Sequence, residues 1–274
     1  RDNAHYKQLR QWASSAQARR KAGMTLLDGV HLCEAWLQHR GLPALCVVAE
    51  SALSHPEVAA LVARCESGTA TQPDHSIKAT TAAVECLLLP DTLFAPLGQV
   101  EHGVGILFAV TVPESIVAHH EAYSLDRPAL LLDSVQDPGN LGTIMRTAAA
   151  AGIQQIFCSP GTASVWSPKV LRAGMGAHFV LEIHEDVNLA QLIKNAAVPV
   201  YAAQPDAANS IYSADLRSPS AWLFGHEGQG VSDELLGLAT QRLSIPQSTR
   251  VESLNVAASV AICLFEQRRQ KINQ

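Results

Sequence analysis

Polar side chains and glycines that could perform chemistry are concentrated in three short segments in the second half of this 274-residue chain. The first segment, 133–148, places Asn140 and Arg146 behind a Pro-Gly turn, and Asn140 is a favourable N-cap for a helix that begins there. A guanidinium on this helix could stabilise negative charge that develops on an oxygen. A turn followed by an ordinary amphipathic helix, with Arg146 ion-paired at the surface, explains this segment equally well.

The second segment, 223–232, ends an apolar strand in three glycines within six positions and carries His226 and Glu227 between them. Glycine backbone can approach a ligand closely and can adopt positive φ. The order of the glycines is not that of a dinucleotide fingerprint, and the Lys-Ser/Thr pair of a phosphate-binding loop is absent. The position of His226 fits an ordinary loop residue and a general base equally well.

The third segment, 245–258, begins with Ile245-Pro246 and leads through an irregular loop into a helix that we expect to run to about residue 270. Either Ser253 or Asn255 could cap that helix. All three segments follow apolar stretches, so the predicted strands should determine where they lie.

Short apolar strands alternate with helices throughout the second half, which predicts a largely parallel, doubly wound sheet. In such sheets the ligand crevice lies beyond the carboxyl ends of the strands. We therefore expect the three segments to meet at one edge. The predicted strands are 129–132, 155–158, 180–183, 198–202, 221–224 and 242–245.

The first half is predicted to be a smaller mixed α/β module. Its expected elements are helices at 3–20, 30–39 and 56–64, a strand at 45–48 and a closing strand at 103–110 with a glycine-permitted close approach. Periodicity is lost over 113–127, which is the predicted linker. The domain prediction is therefore 1–112, the linker 113–127, and 128–274.

The net charge of −5 argues against a uniformly basic nucleic-acid binder, because phosphate contacts usually leave a cationic footprint. Residues 1–21 are an exception, with six basic side chains against one acidic side chain. This cluster could contact phosphates, although a solvated helix face explains it equally well. The candidate residues for such phosphate contacts are Lys7, Arg10, Arg19 and Arg20.

Six cysteines are spread singly without metal-ligand spacing, which predicts buried free thiols in a reducing cytoplasm and no metal site. The adjacent His119 and His120 are interpreted as linker composition. The longest apolar run, 256–265, is about half the roughly 18 residues needed to cross a bilayer. The first residues lack the apolar core of a secretory signal, so we expect a cytoplasmic protein without a membrane partner.

Taken together, the three segments resemble the SpoU/TrmH branch of the SPOUT methyltransferases. The matching patterns, in order, are D-P-x-N-x-G-x-x-x-R-T, G-x-E-x-x-G, and I-P followed by S-L-N-V, and they cover about half of the chain. The resemblance implies a C-terminal α/β domain with a mostly parallel sheet and a deep trefoil knot, whose loops hold S-adenosylmethionine in a bent conformation.

The resemblance also implies roles for individual residues. The catalytic arginine corresponds to Arg146, accompanied by the polar residues Asn140, Glu227, Ser253 and Asn255. In the third segment, Thr249 and Arg250 replace glycines that are usual in the family, and Arg250 is a further candidate RNA contact. The implied cofactor-binding residues are Gly225, Ile245, Leu254, Ala202, Ala203 and Pro246.

The first half more faintly resembles the L30e-like substrate-binding domain of such enzymes, with Asp28-Gly29 where Glu-Gly is more usual. The implied activity is S-adenosylmethionine-dependent methylation of a ribose 2′-hydroxyl, with 23S ribosomal RNA as the first choice of substrate. The implied assembly is a homodimer formed through the knotted domain, and helix 255–270 is a candidate contact.

Two interpretations of Arg146 remain open at this stage. It could assist deprotonation of the hydroxyl, or it could stabilise alkoxide charge, which suits a guanidinium that stays protonated. Three other functions compete with the first choice: a transfer-RNA ribose methylase, a non-catalytic RNA-binding or assembly factor, and a nucleotide-dependent oxidoreductase. The oxidoreductase is disfavoured because its fingerprint is missing.

Overall fold

The computed structural model divides by its contacts into two compact units. The first comprises Arg1–Glu114 and Trp166–Phe179, and the second comprises Ser115–Val165 and Val180–Gln274. The residues that the structure describes are 4–68, 83–99, 103–113, 123–248 and 250–272. His119, His120 and most of the predicted linker lie outside these residues.

The first unit is built around a four-stranded sheet. The elements in the first of its two segments are α1 (Ala4–Ser14), α2 (Ala16–Ala22), β1 (Met24–Asp28), α3 (Val30–His39), β2 (Leu45–Ala49), α4 (Pro56–Glu66), β3 (Cys86–Leu89), α5 (Asp91–Phe94) and β4 (Ile106–Thr111). The strand order is β1-β4-β2-β3. β4 is antiparallel to β1 and β2, whereas β3 is parallel to β2.

Local chemistry explains where these elements begin and end. The predicted helix 3–20 is divided in two because the Ser15 hydroxyl caps α2, accepting a hydrogen bond from the Ala18 N–H at 3.2 Å. The predicted strand 103–110 begins only at Ile106, and the close approach predicted with it is confirmed at Gly105, whose φ is 89°. A Cβ at this position would lie 2.8 Å from the Cβ of Ala52, so a larger residue would collide there.

The second unit contains a seven-stranded sheet in which every strand pair is parallel. The strand order is β7-β6-β5-β10-β8-β11-β9. The remaining elements, in chain order, are β5 (Ala129–Leu132), α6 (Pro138–Ala151), β6 (Gln155–Cys158), α7 (Pro168–Gly174, in the first unit), β7 (Glu182–His184), α8 (Leu189–Lys194), β8 (Val200–Ala203), β9 (Asn209–Ser210), β10 (Ala221–Phe224), α9 (Asp233–Leu238), β11 (Gln241–Ser244) and α10 (Val256–Ile272).

The predicted fold class is confirmed: two α/β modules, of which the second holds a mostly parallel sheet. Three of the six strands predicted in this half have the observed bounds, namely β5, β6 and β10. The predicted strand 180–183 begins two residues late because Ala177–Phe179 forms a 3₁₀ turn before it. The trefoil knot stays a prediction from the resemblance.

Residues 166–179 follow β6 in sequence but pack within the first unit. The Thr25 hydroxyl donates a 2.8 Å hydrogen bond to the Trp166 carbonyl, and the rings of Trp36 and Phe179 meet edge to face at 5.3 Å. The alternation of strands and helices in the sequence does not predict that residues 166–179 belong to the first unit. The alternation gives the order of elements along the chain, not which elements pack together. The predicted boundaries 1–112 and 128–274 stay a prediction.

The last helix of the second unit is anchored to the sheet by a buried glutamine. Near its end, the buried Gln267 accepts a 3.0 Å hydrogen bond from the Trp222 indole N–H. The amide nitrogen of Gln267 donates to the hydroxyl of Ser220 at 2.6 Å and to the Leu216 carbonyl at 3.1 Å. A buried amide with all of these partners fixes the helix in one position along β10.

The predicted buried thiols are confirmed for five of the six cysteines, and Cys86 is half-buried. Burial raises the pKa of the Cys263 thiol to about 12. No cluster of His, Cys, Asp or Glu suited to a metal ion is found among the described residues. Within the same residues, no helix combines the length and apolar character required to cross a bilayer.

Candidate active site

The parallel sheet brings the three chemistry-bearing segments to one edge. Asp133, Gly225 and Ile245 directly follow the carboxyl ends of β5, β10 and β11. A pocket of about 380 Å³ opens at this edge and is lined by the loops that leave β8, β10 and β11 together with the start of α10. This is where ligands bind in open α/β sheets.

The carboxylate of Glu227 joins the second segment to the first. Its Oε1 accepts hydrogen bonds from the Asp137 N–H at 3.0 Å and from the Asn140 side-chain amide at 3.1 Å. Its Oε2 accepts the Gln136 N–H at 3.1 Å. Three donors on one carboxylate fix both the loop after β5 and the side chain of Asn140.

The side chain of Asn255 joins the third segment to the same group. Its amide nitrogen donates to the Asn140 Oδ1 at 2.9 Å, while its own Oδ1 accepts the Ala257 N–H at 2.9 Å and the Ala258 N–H at 3.3 Å. Asn255 therefore caps α10, as one of the two predicted alternatives. The donors and acceptors leave one orientation for each of the two amides.

The ionisation of Glu227 follows from these contacts. Burial alone would raise the pKa of this carboxyl, but hydrogen bonds from the Asp137 N–H, the Asn140 side chain and the Gln136 N–H outweigh burial and lower the pKa below its usual value. Glu227 is therefore an anion at neutral pH that accepts hydrogen bonds rather than donating them.

One local prediction about the first segment is wrong. Asn140 is not the N-cap of α6, because Asp137 takes that position and its Oδ1 accepts the Asn140 N–H at 2.8 Å. Pro138 then begins the helix, a position at which its missing N–H costs no hydrogen bond. Because Asp137 satisfies the helix end, the side chain of Asn140 is left for Glu227 and Asn255.

The loop 225–230 is a tight turn held by its own backbone. His226 and Gly230 exchange two backbone hydrogen bonds at 3.0 and 2.8 Å. A Cβ on Gly225 would lie 2.1 Å from the carbonyl carbon of Gly230, so only glycine fits there. The His226 Nδ1 accepts the Gly228 N–H at 2.9 Å, which favours its interpretation as a loop residue over that of a base.

Asp133 is a site residue that sequence reasoning missed. Its Oδ2 accepts the Ser232 N–H at 3.0 Å, and its Oδ1 accepts the Ser159 hydroxyl at 3.3 Å. It thereby ties the loop after β10 to the ends of β5 and β6. Its position as the first polar residue after a predicted strand was the available signal.

Arg146 lies on α6, two turns beyond its start, and is exposed. Within the described residues its guanidinium makes no hydrogen bond or ion pair, so the surface ion pair considered for it is not observed. The structure does not join Arg146 to the Glu227–Asn140–Asn255 group. Its catalytic role stays a prediction.

Four of the six predicted cofactor residues line the pocket: Ala203, Gly225, Ile245 and Leu254. Ala202 is fully buried in β8, and Pro246 is outside the described lining of the pocket. Glu227 and Ser253, which were predicted as catalytic residues, also line the pocket.

The charges around the pocket favour a cationic ligand. Its lining includes the carboxylates of Asp206, Glu227 and Asp233, and the described lining contains no lysine or arginine. Phosphates would meet three like charges here, whereas a sulfonium or an ammonium would be attracted. The residues present therefore fit S-adenosylmethionine better than a phosphate-bearing nucleotide.

The residues predicted to contact RNA differ in how exposed their side chains are. Lys7, Arg10 and Arg20 are exposed on α1 and α2. Arg19 is half-buried, its guanidinium donates to the Trp12 carbonyl, and burial lowers its pKa. Arg250 is exposed in the loop before α10, and Thr249 beside it lies outside the described residues.

Comparison with known proteins places this geometry in context. Residues 127–265 match the SpoU rRNA Methylase family. The chain is 32% identical over 276 residues to an uncharacterised tRNA/rRNA methyltransferase of Synechocystis sp., covering 98% of this chain and 92% of the relative. It is 28% identical to 23S rRNA (guanosine(2553)-2′-O)-methyltransferase RlmP of Bacillus subtilis, covering 97% and 98%. A solved TrmH-family structure from Porphyromonas gingivalis is 30% identical with a TM-score of 0.76, covering 98% of each chain.

The lowered pKa of Glu227 predicts a pH-dependent contribution to stability. This contribution is present above the unfolded pKa of about 4.3 and is lost as pH falls through the lower folded pKa. We expect the difference in unfolding free energy between wild type and Glu227→Gln to be larger at about pH 7 than at about pH 3. Denaturant unfolding at both pH values measures it. Glu234→Gln on the exposed start of α9 is the control, and an equal pH effect in both variants would contradict the prediction.

The packing of Gly225 predicts that Gly225→Ala distorts the turn and closes part of the pocket. We expect it to destabilise the protein by about 1–3 kcal/mol, the usual range for overpacking. Gly237→Ala is the matched control, because nothing lies within 4 Å of the added carbon and alanine favours a helix by about 1 kcal/mol. Chemical denaturation measures both variants. Equal stability of the two would refute the prediction.

Proposed function

Because the chain belongs to the SpoU rRNA Methylase family, we propose that it transfers a methyl group from S-adenosylmethionine to a ribose 2′-hydroxyl of ribosomal RNA. One observation carries the proposal: the hydrogen-bonded group Glu227–Asn140–Asn255 unites three distant segments beside an acidic pocket. A protein that only binds RNA has no chemical need for this arrangement, which disfavours the non-catalytic alternative.

The chemistry divides between the cofactor and the protein. The bound sulfonium supplies a methyl group that is ready for displacement. The protein must hold the weakly nucleophilic 2′-hydroxyl in line with it, and the proton released by the hydroxyl passes to solvent water. Asn140 and Asn255 are fixed by their mutual hydrogen bond, so they can orient the ribose or the neighbouring phosphate without reorganising.

Arg146 is assigned electrostatic stabilisation of the developing alkoxide rather than the role of formal base. A guanidinium keeps its proton at any physiological pH. The exposure of Arg146, and the lack of a partner within the described residues, leave its donors available for RNA. Ser253, at the pocket, is assigned a contact at the junction of cofactor and substrate.

The cofactor assignment is supported by the pocket itself. Gly225, Ile245 and Leu254 would bind the adenosine largely through backbone and apolar contacts, while the three carboxylates favour the cationic end. The oxidoreductase alternative requires a pyrophosphate at the same edge, where the described lining offers no basic side chain.

The substrate proposal is 23S ribosomal RNA, which is the RNA in the name of the Bacillus subtilis relative. The exposed Lys7, Arg10 and Arg20 of the first unit, with Arg250, would contact its phosphates. The first unit is thus assigned as the L30e-like RNA-binding module. Buried free thiols suit action in the reducing cytoplasm.

We expect Arg146→Ala to fold and to bind S-adenosylmethionine as wild type does, while methyl transfer falls on the order of 10²-fold or more because alkoxide stabilisation is lost. Transfer of labelled methyl to RNA and calorimetric cofactor binding measure the two effects. The control is Arg217→Ala, which removes only an exposed ion pair with Asp215. Undiminished transfer by Arg146→Ala would remove this residue from the mechanism.

Mapping of 2′-O-methyl groups in cells that lack the protein tests the substrate. Loss of a site in 23S ribosomal RNA supports the proposal. Loss of a site in transfer RNA instead establishes the transfer-RNA alternative, which the name of the Synechocystis relative also includes. An unchanged methylation pattern would contradict both.

We also propose a homodimer in which α10 is a contact. Phe265 and Ile272, seven residues apart on this helix, are 46% and 69% exposed, so both are accessible to a partner subunit. We expect wild type to sediment as a dimer and Phe265→Ser/Ile272→Ser to dissociate. Leu53→Ser, at an exposed leucine of the first unit, is the control. A monomeric wild type would exclude the dimer.

A further inference from the structure

Three of the six cysteines meet in the first unit. Cys46 of β2 and Cys86 of β3 are register partners in neighbouring parallel strands, so their side chains lie on the same face of the sheet. Cys65 lies near the end of α4, and its carbonyl accepts the Val84 N–H at 3.0 Å, which places the end of this helix beside the start of β3. Neither the resemblance nor the proposed mechanism assigns these thiols a role.

The three thiols differ in their access to solvent. Cys46 and Cys65 are completely buried, whereas Cys86 is half-buried because β3 is an edge strand of the four-stranded sheet. Leu88, two residues further along β3 on the same face, is 47% exposed, so this face of the strand is open to solvent there. A small oxidant dissolved in water therefore reaches the Cys86 sulfur before it reaches the other two.

The thiols also differ in how readily they ionise, because they form hydrogen bonds with one another. The hydrogen bond from the Cys46 thiol, the positive charge of Arg64 and the hydrogen bond from the Cys86 thiol together outweigh burial and lower the pKa of Cys65. The hydrogen bond to Cys65 and burial raise the pKa of Cys46, and burial raises the pKa of Cys86 to about 11. Cys65 is therefore the member of the three that most easily becomes a thiolate, the form that attacks another sulfur.

We propose that Cys65 and Cys86 form a reversible disulfide when the protein meets a peroxide, with Cys86 as the sulfur that is oxidised first and Cys65 as the sulfur that resolves it. Disulfides in a reducing cytoplasm are usually transient and redox-sensing, so such a bond is compatible with the free thiols of the structure. The inference does not depend on the proposed methyl transfer, because all three thiols belong to the first unit.

The reaction with hydrogen peroxide takes place in two steps. In the first step the Cys86 sulfur attacks one peroxide oxygen, an S–O bond replaces the O–O bond, hydroxide departs, and the thiol proton passes to the Cys65 thiolate to which it is hydrogen-bonded. In the second step the Cys65 sulfur attacks the Cys86 sulfur, an S–S bond replaces the S–O bond, and the departing hydroxide takes the Cys65 proton and leaves as water. One thiol and one thiolate lose two electrons, and the peroxide becomes water and hydroxide.

Peptide mapping of the wild-type protein tests the pairing directly. The native chain is treated with hydrogen peroxide, alkylated in denaturant and digested without reductant. We expect a peptide pair linked through Cys65 and Cys86 and the loss of two of the six alkylatable thiols, both of which dithiothreitol restores. Oxidation of Cys86 to sulfinic acid without a linked peptide, a disulfide that joins Cys86 to Cys46, or no loss of thiols would each overturn the inference.

Single substitutions separate the roles of the two sulfurs. We expect Cys86→Ala to lose no thiols under the same treatment, because the accessible sulfur is gone, and Cys65→Ala to oxidise Cys86 to sulfinic acid, because the resolving sulfur is gone. Cys263→Ala, which removes a buried thiol of the second unit, is the matched control and should form the disulfide as wild type does. Circular dichroism melting confirms that folded variants are compared. Loss of two thiols by Cys86→Ala would overturn the inference.

Discussion

The site depends on one hydrogen-bonded chain in which no group has a second arrangement. A carboxylate can only accept, so Glu227 requires donors from the loop after β5 and from the amide of Asn140. That requirement turns the oxygen of Asn140 towards Asn255, whose own oxygen is committed to the first N–H groups of α10. Charge at one end and a helix terminus at the other end set the direction of the whole chain.

The parallel sheet makes this chain possible. Every strand of the second unit points the same way, so loops that are far apart in sequence leave the sheet at a common edge. Asp133 then joins the loop after β10 to the ends of β5 and β6, while the turn at Gly225 is held by contacts within its own loop. The bonds of Asp133 and Glu227 each join two different loops, so these loops hold one another in place.

Much of this could be predicted from the sequence, and the limits have physical causes. Apolar alternation locates β5, β6 and β10 well because buried parallel strands leave a plain pattern. The same alternation cannot predict that residues 166–179 pack within the first unit, because that packing depends on contacts such as the hydrogen bond between Thr25 and Trp166. The cap of α6 was misjudged because Asp137 and Asn140 have similar N-cap propensities, and only the structure shows that Asp137 caps the helix while the Asn140 side chain donates to Glu227.

The roles of individual residues could likewise be predicted only in part from the sequence. The resemblance to the SpoU/TrmH family, rather than any local pattern, identified Asn140, Glu227 and Asn255 as site residues. It did not single out Asp133, whose importance lies in bonds to Ser159 and Ser232 from other loops. His226 could be resolved only by its geometry, because a histidine that accepts backbone N–H groups looks in sequence like one that is free to act.

The position of α10 has a consequence for how the protein matures. Its first turn is capped by a residue of the site, and its far end is anchored through Gln267 to Trp222 of β10. Neither anchor exists until that part of the chain has been synthesised. Because Asn255 follows Asn140 and Glu227 in the chain, the site of an emerging polypeptide stays incomplete until α10 has been made.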